Sequence, residues 1–237
     1  MITAYDGMVL AHSVENGSQA ATSPGHRTAD PAILYFGTPV VLVSSLNEDG
    51  SYNLAPMSSA WWLGRHCMLG LAAASKTPQN MLRTRECVLN LPSATMVAAV
   101  NRLARTTGSD PVPDVKVRRG YRHVRDKFAI AGLTPVRSQI VAAPRVQECP
   151  VQLEARVESA HPLAEHDPRQ RGRALAIDVR IVRVHLAQSI LMDGDPDRVD
   201  PDKWRPLIMS FQQFYGLAPD RLHPSELAKI PESAYRI

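Results

Sequence analysis

A long run of alternating apolar and polar residues, Ala174 to His185, restricts the fold of this chain more than any other feature. Every second residue from Leu175 to Ile181 is apolar, and Val184 continues the apolar set. Successive side chains of a β-strand point to opposite faces of the sheet, so the pattern is typical of a half-buried strand with charged residues on its other face. We therefore expect a long strand here.

A hairpin is indicated earlier in the chain. The β-branched run Val40–Val43 is followed by a polar turn, Asn47 to Gly50, and then by a second strand-like segment, Tyr52–Leu54. An Asp-Gly pair between two such segments is the strongest short-range signal for an antiparallel hairpin. Further strands are expected at Met68–Ala74, Cys87–Leu91, Gln139–Ala142 and Val151–Val157.

One helix stands out among these strands. Apolar residues recur with a helical period between Met96 and Leu103, and Ser93 precedes them as a candidate N-cap, so we expect a helix from Ala94 to about Arg105. Strands and helices do not alternate along the chain, which argues against a doubly wound sheet. The sequence predicts a mainly β fold, an antiparallel barrel with short helices inserted.

The chain divides into three parts by composition. Residues 1–31 are rich in small polar residues and proline, and we interpret them as an irregular N-terminal arm. Residues 32–192 contain the predicted strands and form the barrel domain. Residues 193–237 begin with an acidic turn, Asp193 to Asp202, and form a C-terminal extension that we expect to pack on the barrel or on a partner subunit.

The composition is that of a soluble globular protein. Of 237 residues, 44% are hydrophobic and 21% are charged, and the net charge of +4 suggests affinity for an anion without requiring nucleic acid. No run approaches the roughly 20 apolar residues of a membrane helix, and the N-terminus lacks the features of a signal peptide. Cys67, Cys87 and Cys149 are too few and too scattered for a disulfide framework. We expect a cytoplasmic protein with buried, reduced thiols.

Several kinds of site are excluded because their motifs are missing. The sequence has no Rossmann glycine fingerprint, no P-loop and no Gly-x-Ser-x-Gly nucleophile elbow. The segment Asp193–Asp197 resembles the start of a calcium loop, but Arg198 and Trp204 stand where that loop needs glycine and glutamate. The histidines do not pair closely with the cysteines, so no metal site is expected.

A polar elbow, Ser75 to Pro78, follows an apolar run and opens a predicted helix. Thr77 is a suitable N-cap, Pro78 suits the first helical position, and Asn80 falls at the third. Free backbone N–H groups and a partial positive charge make a helix start a ready site for phosphate, and Lys76 would add a full charge. The alternative is an ordinary capped helix, and the spacing alone does not decide between the two.

A second polar cluster precedes two aromatic residues. Ser58 and Ser59 lie on a predicted strand that runs into Trp61 and Trp62. Small hydroxyls beside aromatic rings can form the wall of a pocket for a ring-shaped ligand. The more common interpretation is that the hydroxyls are solvated or bond to the backbone and that at least one tryptophan belongs to the core or to a dimer interface.

The segment from Lys116 to Arg125 is the best candidate for contact with nucleic acid. It is strongly basic, contains one aromatic residue, Tyr121, and is flanked by Asp114 and Asp126. A groove that follows a phosphate backbone can have this composition, but a solvated surface is the more frequent interpretation. We do not expect nucleic-acid binding.

Four segments in this order resemble the flavin reductase-like, FMN-binding split-barrel family, in the branch of flavoredoxin and of proteins associated with flavoprotein oxygenases. The first is the hairpin Thr38 to Gly50, and the second is the strand Asn53–Ser58, similar to the family's "N-x-A-P-x-S". The third runs from Lys76 to Leu91 and is similar to "K-x-T-x-x-N…E-F-V-V-N". The fourth comprises Lys127–Phe128, Gly132–Thr134 and Glu148–Glu154. The resemblance spans residues 33 to 192.

The resemblance implies a six-stranded antiparallel split barrel that forms a homodimer, with FMN at or near the subunit interface. It assigns the isoalloxazine ring to the strand Pro56, Met57, Ser58, Ser59 and Ala60, with Trp61 beside it. It assigns the ribityl phosphate to Ser75, Lys76, Thr77 and Asn80, and it makes Asn90 a further cofactor-binding candidate. Two departures are Cys87, where many members have an aromatic residue, and the Trp61–Trp62 pair, which would crowd the ring.

The implied function is that of an FMN-binding oxidoreductase, most simply an NAD(P)H-dependent flavin reductase. Flavin N5 accepts a hydride directly, so no catalytic side chain is assigned. The alternative is a flavin carrier without turnover of its own that serves a partner oxygenase. A basic nucleic-acid-binding β-barrel remains the third hypothesis.

Overall fold

The structure, a computed structural model, describes residues 25–235. Most of the expected N-terminal arm, residues 1–24, therefore lies outside the described part. Within the described range, residues 35–235 form one compact unit, and the architecture below is that of this unit.

The strands are β1 Phe36–Pro39, β2 Val41–Leu46, β3 Tyr52–Met57, β4 Ala60–Leu63, β5 His66–Ala72, β6 Glu86–Leu91, β7 Thr106–Thr107, β8 Arg122–His123, β9 Pro135–Val136, β10 Arg145–Val146, β11 Val151–Pro162, β12 Ala174–Leu186, β13 Leu191–Met192, β14 Asp195–Val199, β15 Ile208–Ser210 and β16 Gln213–Tyr215. The α-helices are α1 Lys76–Thr84, α2 Val97–Arg102, α3 Asp114–Val117 and α4 Lys127–Ala131, and short 3-10 helices occur at Ala94–Met96, Gln188–Ile190, Glu226–Lys229 and Glu232–Tyr235.

A seven-stranded antiparallel sheet forms the body of the protein, with the order β3-β2-β6-β11-β12-β5-β4. The mainly β, antiparallel fold predicted from the strand pattern is confirmed. The hairpin β2–β3 turns at Asp49-Gly50, and the alternating run forms β12, which pairs with β11 and β5. The sheet has one strand more than the expected six, and its edge strands β3 and β4 do not pair with each other, so the barrel is not closed.

Strand β2 is buried on both faces because it separates two hydrophobic clusters. Val41 and Val43 point into the larger cluster, which fills the space enclosed by the curved sheet. Leu42 and its neighbour Val40 point into the second cluster, which α2 and α4 cover. Alternation with a period of two thus places consecutive residues of one strand in two cores.

The C-terminal strands β15 and β16 belong to the same compact unit. β15 pairs with β1 and with β16, which gives a separate three-stranded sheet. The backbone N–H of Leu207 donates to Pro92 O at 3.1 Å, and Leu207 O accepts from Val40 N at 2.9 Å. The side chain of Leu207 is buried in the second cluster. The proposed boundaries of the N-terminal arm, barrel domain and C-terminal extension stay a prediction.

One expected strand is absent, and an expected helix and an expected turn are present but differ in detail. The strand expected at Gln139–Ala142 is a bend, because its backbone N–H groups donate to carboxylates instead of to a neighbouring strand. The first three donate to the buried carboxylate of Glu154, and that of Ala142 donates to Glu86 Oε2. The helix expected from Ala94 begins as a 3-10 turn, and the Ser93 hydroxyl bonds to Thr95 Oγ1 at 2.8 Å and caps nothing. The acidic turn after Met192 includes the hairpin β13–β14.

Candidate functional site

A cavity of about 820 Å³ lies beside β3, the start of α1 and the C-terminal strands. Its volume is within the range of about 300–1,000 Å³ that is usual for small-molecule and cofactor sites. Two clusters singled out in the sequence, Pro56–Ser59 and Ser75–Thr77, both line it. The structure therefore brings the predicted ring-binding strand and the predicted phosphate-binding elbow to one cavity.

The elbow starts its helix earlier than expected. Ser75, in an extended conformation with φ −86° and ψ 149°, is the N-cap of α1, so the expectation of Thr77 as N-cap was wrong by two residues. The Ser75 side chain makes no capping hydrogen bond. Its hydroxyl instead accepts from Lys116 Nζ at 3.2 Å, which turns it toward the cavity.

Thr77 is held in place by a buried amide. Asn53 Nδ2 donates to Thr77 Oγ1 at 3.0 Å, so the Thr77 hydroxyl keeps its own proton for a ligand. Asn53 Oδ1 is buried and has no hydrogen-bond partner among residues 25–235. A Cβ on Gly108 would lie 2.6 Å from this oxygen, so only glycine fits here. An unpaired buried carbonyl beside a free hydroxyl is a feature of a site that is completed by a ligand.

Lys76 is already paired. Its Nζ donates to Glu48 Oε2 at 2.7 Å, and this hydrogen bond holds the pKa of the Glu48 carboxyl below its ordinary value. The side chain of Asn80 does not line the cavity. It donates to Ser45 Oγ at 3.2 Å and to Asn47 Oδ1 at 2.8 Å, which fastens α1 to the β2–β3 hairpin.

Two lysines that the sequence does not mark as site residues, Lys116 and Lys127, add positive charge to the cavity, which Arg105 and Arg119 also line. Lys127, at the start of α4, is only 3% exposed, and burial together with repulsion by Lys116 lowers its pKa to about 8. Lys116, on α3, donates to Ser75 Oγ and Thr107 Oγ1, each at 3.2 Å, and burial lowers its pKa as well. Neither lysine forms an ion pair within the described chain.

A signal for these lysines is present in the sequence. Lys116 opens the basic segment that was interpreted as a solvated surface, and Lys127 directly precedes the apolar residues 128–131 of a helix capped by Asp126. Lys116 and Lys127 are close in space, and neither is paired with a carboxylate in the described chain, so the repulsion between their charges destabilises the empty site. A bound anion would offset this repulsion. With the hydroxyls of Ser75 and Thr77, they define the anion end of the cavity.

The opposite part of the cavity, here called the ring end, is lined by Pro56–Ser59 of β3 and the residues after it, by Tyr35, and by Met209 and Phe214 of the C-terminal strands. Tyr35 Oη and Ser59 Oγ are 2.6 Å apart and share a hydrogen bond. A Cβ on Gly70 would lie 3.1 Å from Ser59 Cβ, so a larger residue at position 70 would push Ser59 from its position. Apolar side chains and a few hydroxyls make this end suitable for a flat ring.

Besides Asn80, three of the predicted cofactor residues lie outside the cavity. Ala60 is buried in the main core, and Trp61 is 56% exposed at the edge strand β4. Asn90 is wholly buried and does not line the cavity: it donates to Leu42 O at 3.0 Å and accepts from Val146 N at 2.8 Å. Trp62 packs against the main core, and neither tryptophan lines the cavity.

A second cavity of about 380 Å³ shares Asn53, Lys76 and Gly108 with the first. Its other lining residues include the carboxylates of Glu48, Asp49 and Asp110, and also Arg125, which pairs with Asp49 at 3.3 Å. With Lys76 paired to Glu48, the carboxylates oppose an anion there. Of the two cavities that Asn53 lines, the larger one, which contains Lys116 and Lys127, is therefore the better site for an anion.

Other classes of site find little support in the described residues. No group of three His, Cys, Asp or Glu side chains that could hold a metal ion occurs among residues 25–235. No helix in that range has the length and hydropathy to cross a bilayer. All three cysteines are buried and unpaired, and burial raises the pKa of Cys67 to about 12. Arg119 and Tyr121, from the basic segment, line the cavity with Lys116.

Comparison with known proteins gives consistent matches. The family model described as "Flavin reductase like domain" matches residues 33–191. An uncharacterized protein of Bacillus subtilis (strain 168), YdfE, is 35% identical over 187 residues, which cover 79% of this chain and 87% of that protein.

Two solved structures are similar over most of their length. Flavoredoxin of Desulfovibrio vulgaris (Miyazaki F) superposes with a TM-score of 0.65 at 22% identity, covering 88% of this chain and 98% of that one. Nitrilotriacetate monooxygenase component B from Bacillus cereus gives a TM-score of 0.64 at 20% identity, covering 88% and 100%. At such identities the likeness shows the fold, which is of the split-barrel type predicted from the sequence motifs.

Proposed function

Since this chain belongs to the flavin reductase-like family, we propose that it binds FMN in the large cavity and catalyses hydride transfer from NAD(P)H through the flavin. The observation that carries the proposal is Lys127, a buried lysine without an ion-pair partner in the described chain, beside Lys116 and two hydroxyls. The phosphate ester of FMN is a dianion with acceptor oxygens, the group that such a cluster would bind.

The residues at the anion end would act together on the phosphate. Lys116 and Lys127 supply charge, and Ser75 and Thr77 supply hydroxyl protons. Asn53 orients Thr77, and its free carbonyl is placed to accept from a ribityl hydroxyl. The fit favours FMN over riboflavin, because riboflavin has no charge to offer the lysines.

The ring end would position the isoalloxazine. Ser58 and Ser59 carry hydroxyls on the lining strand, and Tyr35 fixes Ser59 through their shared hydrogen bond. Bound FMN would supply the hydride-accepting chemistry, in which the nicotinamide becomes a pyridinium cation and two electrons remain for an acceptor. The chain's own role would be to bind, orient and shield, and we assign no catalytic side chain.

A second candidate function is that of a flavin carrier for a partner oxygenase. It is favoured by the likeness to nitrilotriacetate monooxygenase component B, which is named as part of a monooxygenase. The homodimer, the cytoplasmic location and the absence of nucleic-acid binding stay predictions.

The test is spectroscopic. We expect the purified protein to bind FMN with a change in the visible absorption spectrum, and we expect NADH or NADPH to bleach the bound flavin under anaerobic conditions. Binding without bleaching by either nucleotide would favour the carrier. A protein that fails to bind FMN would end both proposals.

The affinity for FMN should depend on pH in a direction set by Lys127. Its pKa in the free protein is about 8, and a bound phosphate dianion raises that pKa, so binding takes up a proton above pH 8. We expect the FMN Kd to be lowest just below pH 8 and to rise toward about tenfold per pH unit above it. Fluorescence titrations with FMN and with riboflavin check this; a parallel pH dependence for both ligands would contradict it.

A further inference from the structure

A strained turn connects β15 and β16. Phe211 and Gln212 are its two central residues, and both have positive φ, 46° and 66°. A two-residue hairpin turn with positive φ at both positions is of type I′ and is normally made by Asn-Gly or a similar pair. For residues with a Cβ this conformation costs free energy, and such strain is concentrated at functional sites. The residues of this turn therefore call for a reason other than folding.

The turn is fastened to the ring end of the cavity. The Phe211 N–H donates to Tyr35 O at 2.9 Å, and Tyr35 in turn bonds Ser59 through its hydroxyl. The strand pairing Phe36 with Ser210 brings the Phe36 ring against Phe211, edge to face, with centroids 4.8 Å apart and planes at 89°. The turn thus has a fixed position relative to the strand proposed to hold the flavin ring.

Two aromatic rings are left open to solvent at this place. Phe36 is 73% exposed and Phe211 is 43% exposed. Neither ring lines the cavity, but their chain neighbours Tyr35 and Gln212 do. Exposed aromatic pairs beside a cavity are suited to contact with another flat ring, and such contacts favour offset or edge-to-face geometry.

Gln212 places a polar side chain next to these two aromatic rings, at the ring end of the cavity. It lines the cavity, and its side chain makes no hydrogen bond to any residue in the described range. A primary amide carries two donors and one carbonyl acceptor, which complement another amide or an imide edge. Gln212, Met209 and Phe214 lie beyond residue 191, where the match to the family model ends.

We propose that the Phe211–Gln212 turn selects the second substrate, the molecule that exchanges electrons with the flavin. That substrate presents a planar aromatic ring to Phe36 and Phe211 and an amide or imide edge to Gln212. Nicotinamide has this chemistry, and so does the isoalloxazine of a second, free flavin. The proposal rests on the proposed function. It adds to that function the residues that determine which second substrate exchanges electrons with the bound flavin.

The test uses substitutions that relieve the strain while removing the contacts. Gln212→Gly brings the turn closer to the residues that type I′ geometry favours, so its melting temperature should rise by about 2 °C. Phe211→Asn makes the same gain in the turn but loses the contact with Phe36, so its melting temperature should change by less than about 2 °C. Each should raise the apparent Kd of the second substrate about tenfold, with the limiting rate changed less than about threefold. The Kd of FMN should change less than about twofold.

Anaerobic stopped-flow measurements on the FMN-loaded protein give these values in two arms. In one arm NADH or NADPH reduces the flavin, and in the other the reduced protein passes electrons to free riboflavin. Weaker binding in the first arm identifies a nicotinamide as the substrate that the turn selects, and weaker binding in the second identifies a flavin acceptor. Unchanged binding in both arms would overturn the proposal.

A matched control is Ala164→Gly. Ala164 also has a positive φ, 54°, but it lies in the loop after β11 and does not line the cavity. Ala164→Gly should raise the melting temperature about as much as Gln212→Gly does. It should leave the Kd of the second substrate unchanged in both arms. If the variants of the turn weaken FMN as much as the second substrate, the turn contacts the cofactor and the proposal fails while the proposed function stands. If the unaltered protein binds no flavin, the proposed function fails and takes this proposal with it.

Discussion

Lys127→Met should raise the Kd of FMN roughly 10- to 100-fold and leave that of riboflavin nearly unchanged. A hydrogen bond to a charged group contributes about 1.5–3 kcal/mol, and Lys127 has no other partner in the described chain to share its charge. Fluorescence quenching of each flavin at pH 7 measures the two constants. Because Lys76 is already paired with Glu48, Lys76→Met should have a smaller effect on FMN.

The same substitution should stabilise the protein without ligand. Burial lowers the pKa of Lys127 from 10.5 to about 8, so its charged form destabilises the fold below pH 8, and this penalty is relieved as the pH rises. Lys127→Met removes the buried charge and should raise the free energy of unfolding by about 1–3 kcal/mol at pH 7. Lys203→Met, at a surface pair with Asp193, is the control and should change neither quantity much. Equal losses for FMN and riboflavin would show that Lys127 does not bind phosphate.

Glu154→Gln should cause the largest loss of stability, about 3 kcal/mol. The Glu154 carboxylate is wholly buried and accepts from the N–H groups of Gln139 at 2.9 Å, Ile140 at 2.6 Å and Val141 at 3.2 Å, and from His185 Nε2 at 2.7 Å. An amide offers one acceptor oxygen in place of two and turns a donor toward these donors. Chemical denaturation should show a lower midpoint with an unchanged slope.

The control for this substitution is Glu148→Gln. Glu148 is exposed and accepts from Thr134 N at 3.0 Å, so the loss should stay below about 1 kcal/mol. Burial by itself raises the pKa of Glu154, but the backbone N–H groups and His185 outweigh it and hold this pKa below 4.5. The stability that Glu154 contributes is therefore fully present above pH 4.5 and is lost as the pH falls through the lowered pKa. A variant with the stability of the unaltered protein would show that the loop is held by other contacts.

Elements with a local signal were predictable from the sequence. The Asp49-Gly50 turn defined the β2–β3 hairpin, and the alternation from Leu175 onward defined β12. The segment Gln139–Ala142 has the composition of a strand, yet its first three backbone N–H groups donate to Glu154, a contact between distant residues that no local pattern contains. Long-range hydrogen bonds of this kind override local propensity.

The candidate site was predictable to a similar extent. The elbow and the strand Pro56–Ser59 line one cavity, whereas Asn80 and Asn90 bond to neighbouring strands and loops of the same fold. Lys116 and Lys127 were not predicted as cofactor-binding residues because a lysine in a basic or helical segment is usually exposed. Only the packing of α3 and α4 against β3 and β7 turns both toward the cavity.

The pairing of β1 with β15 also has a consequence for the order in which the cavity is assembled. All residues of the anion end lie between Asn53 and Lys127, but the ring end needs Phe36 paired with Ser210 and lining side chains as late as Phe214. A ribosome must therefore translate through β16 and release it from the exit tunnel before the ring end can close. The ring end therefore depends on β16, whereas the residues of the anion end are synthesised long before that strand.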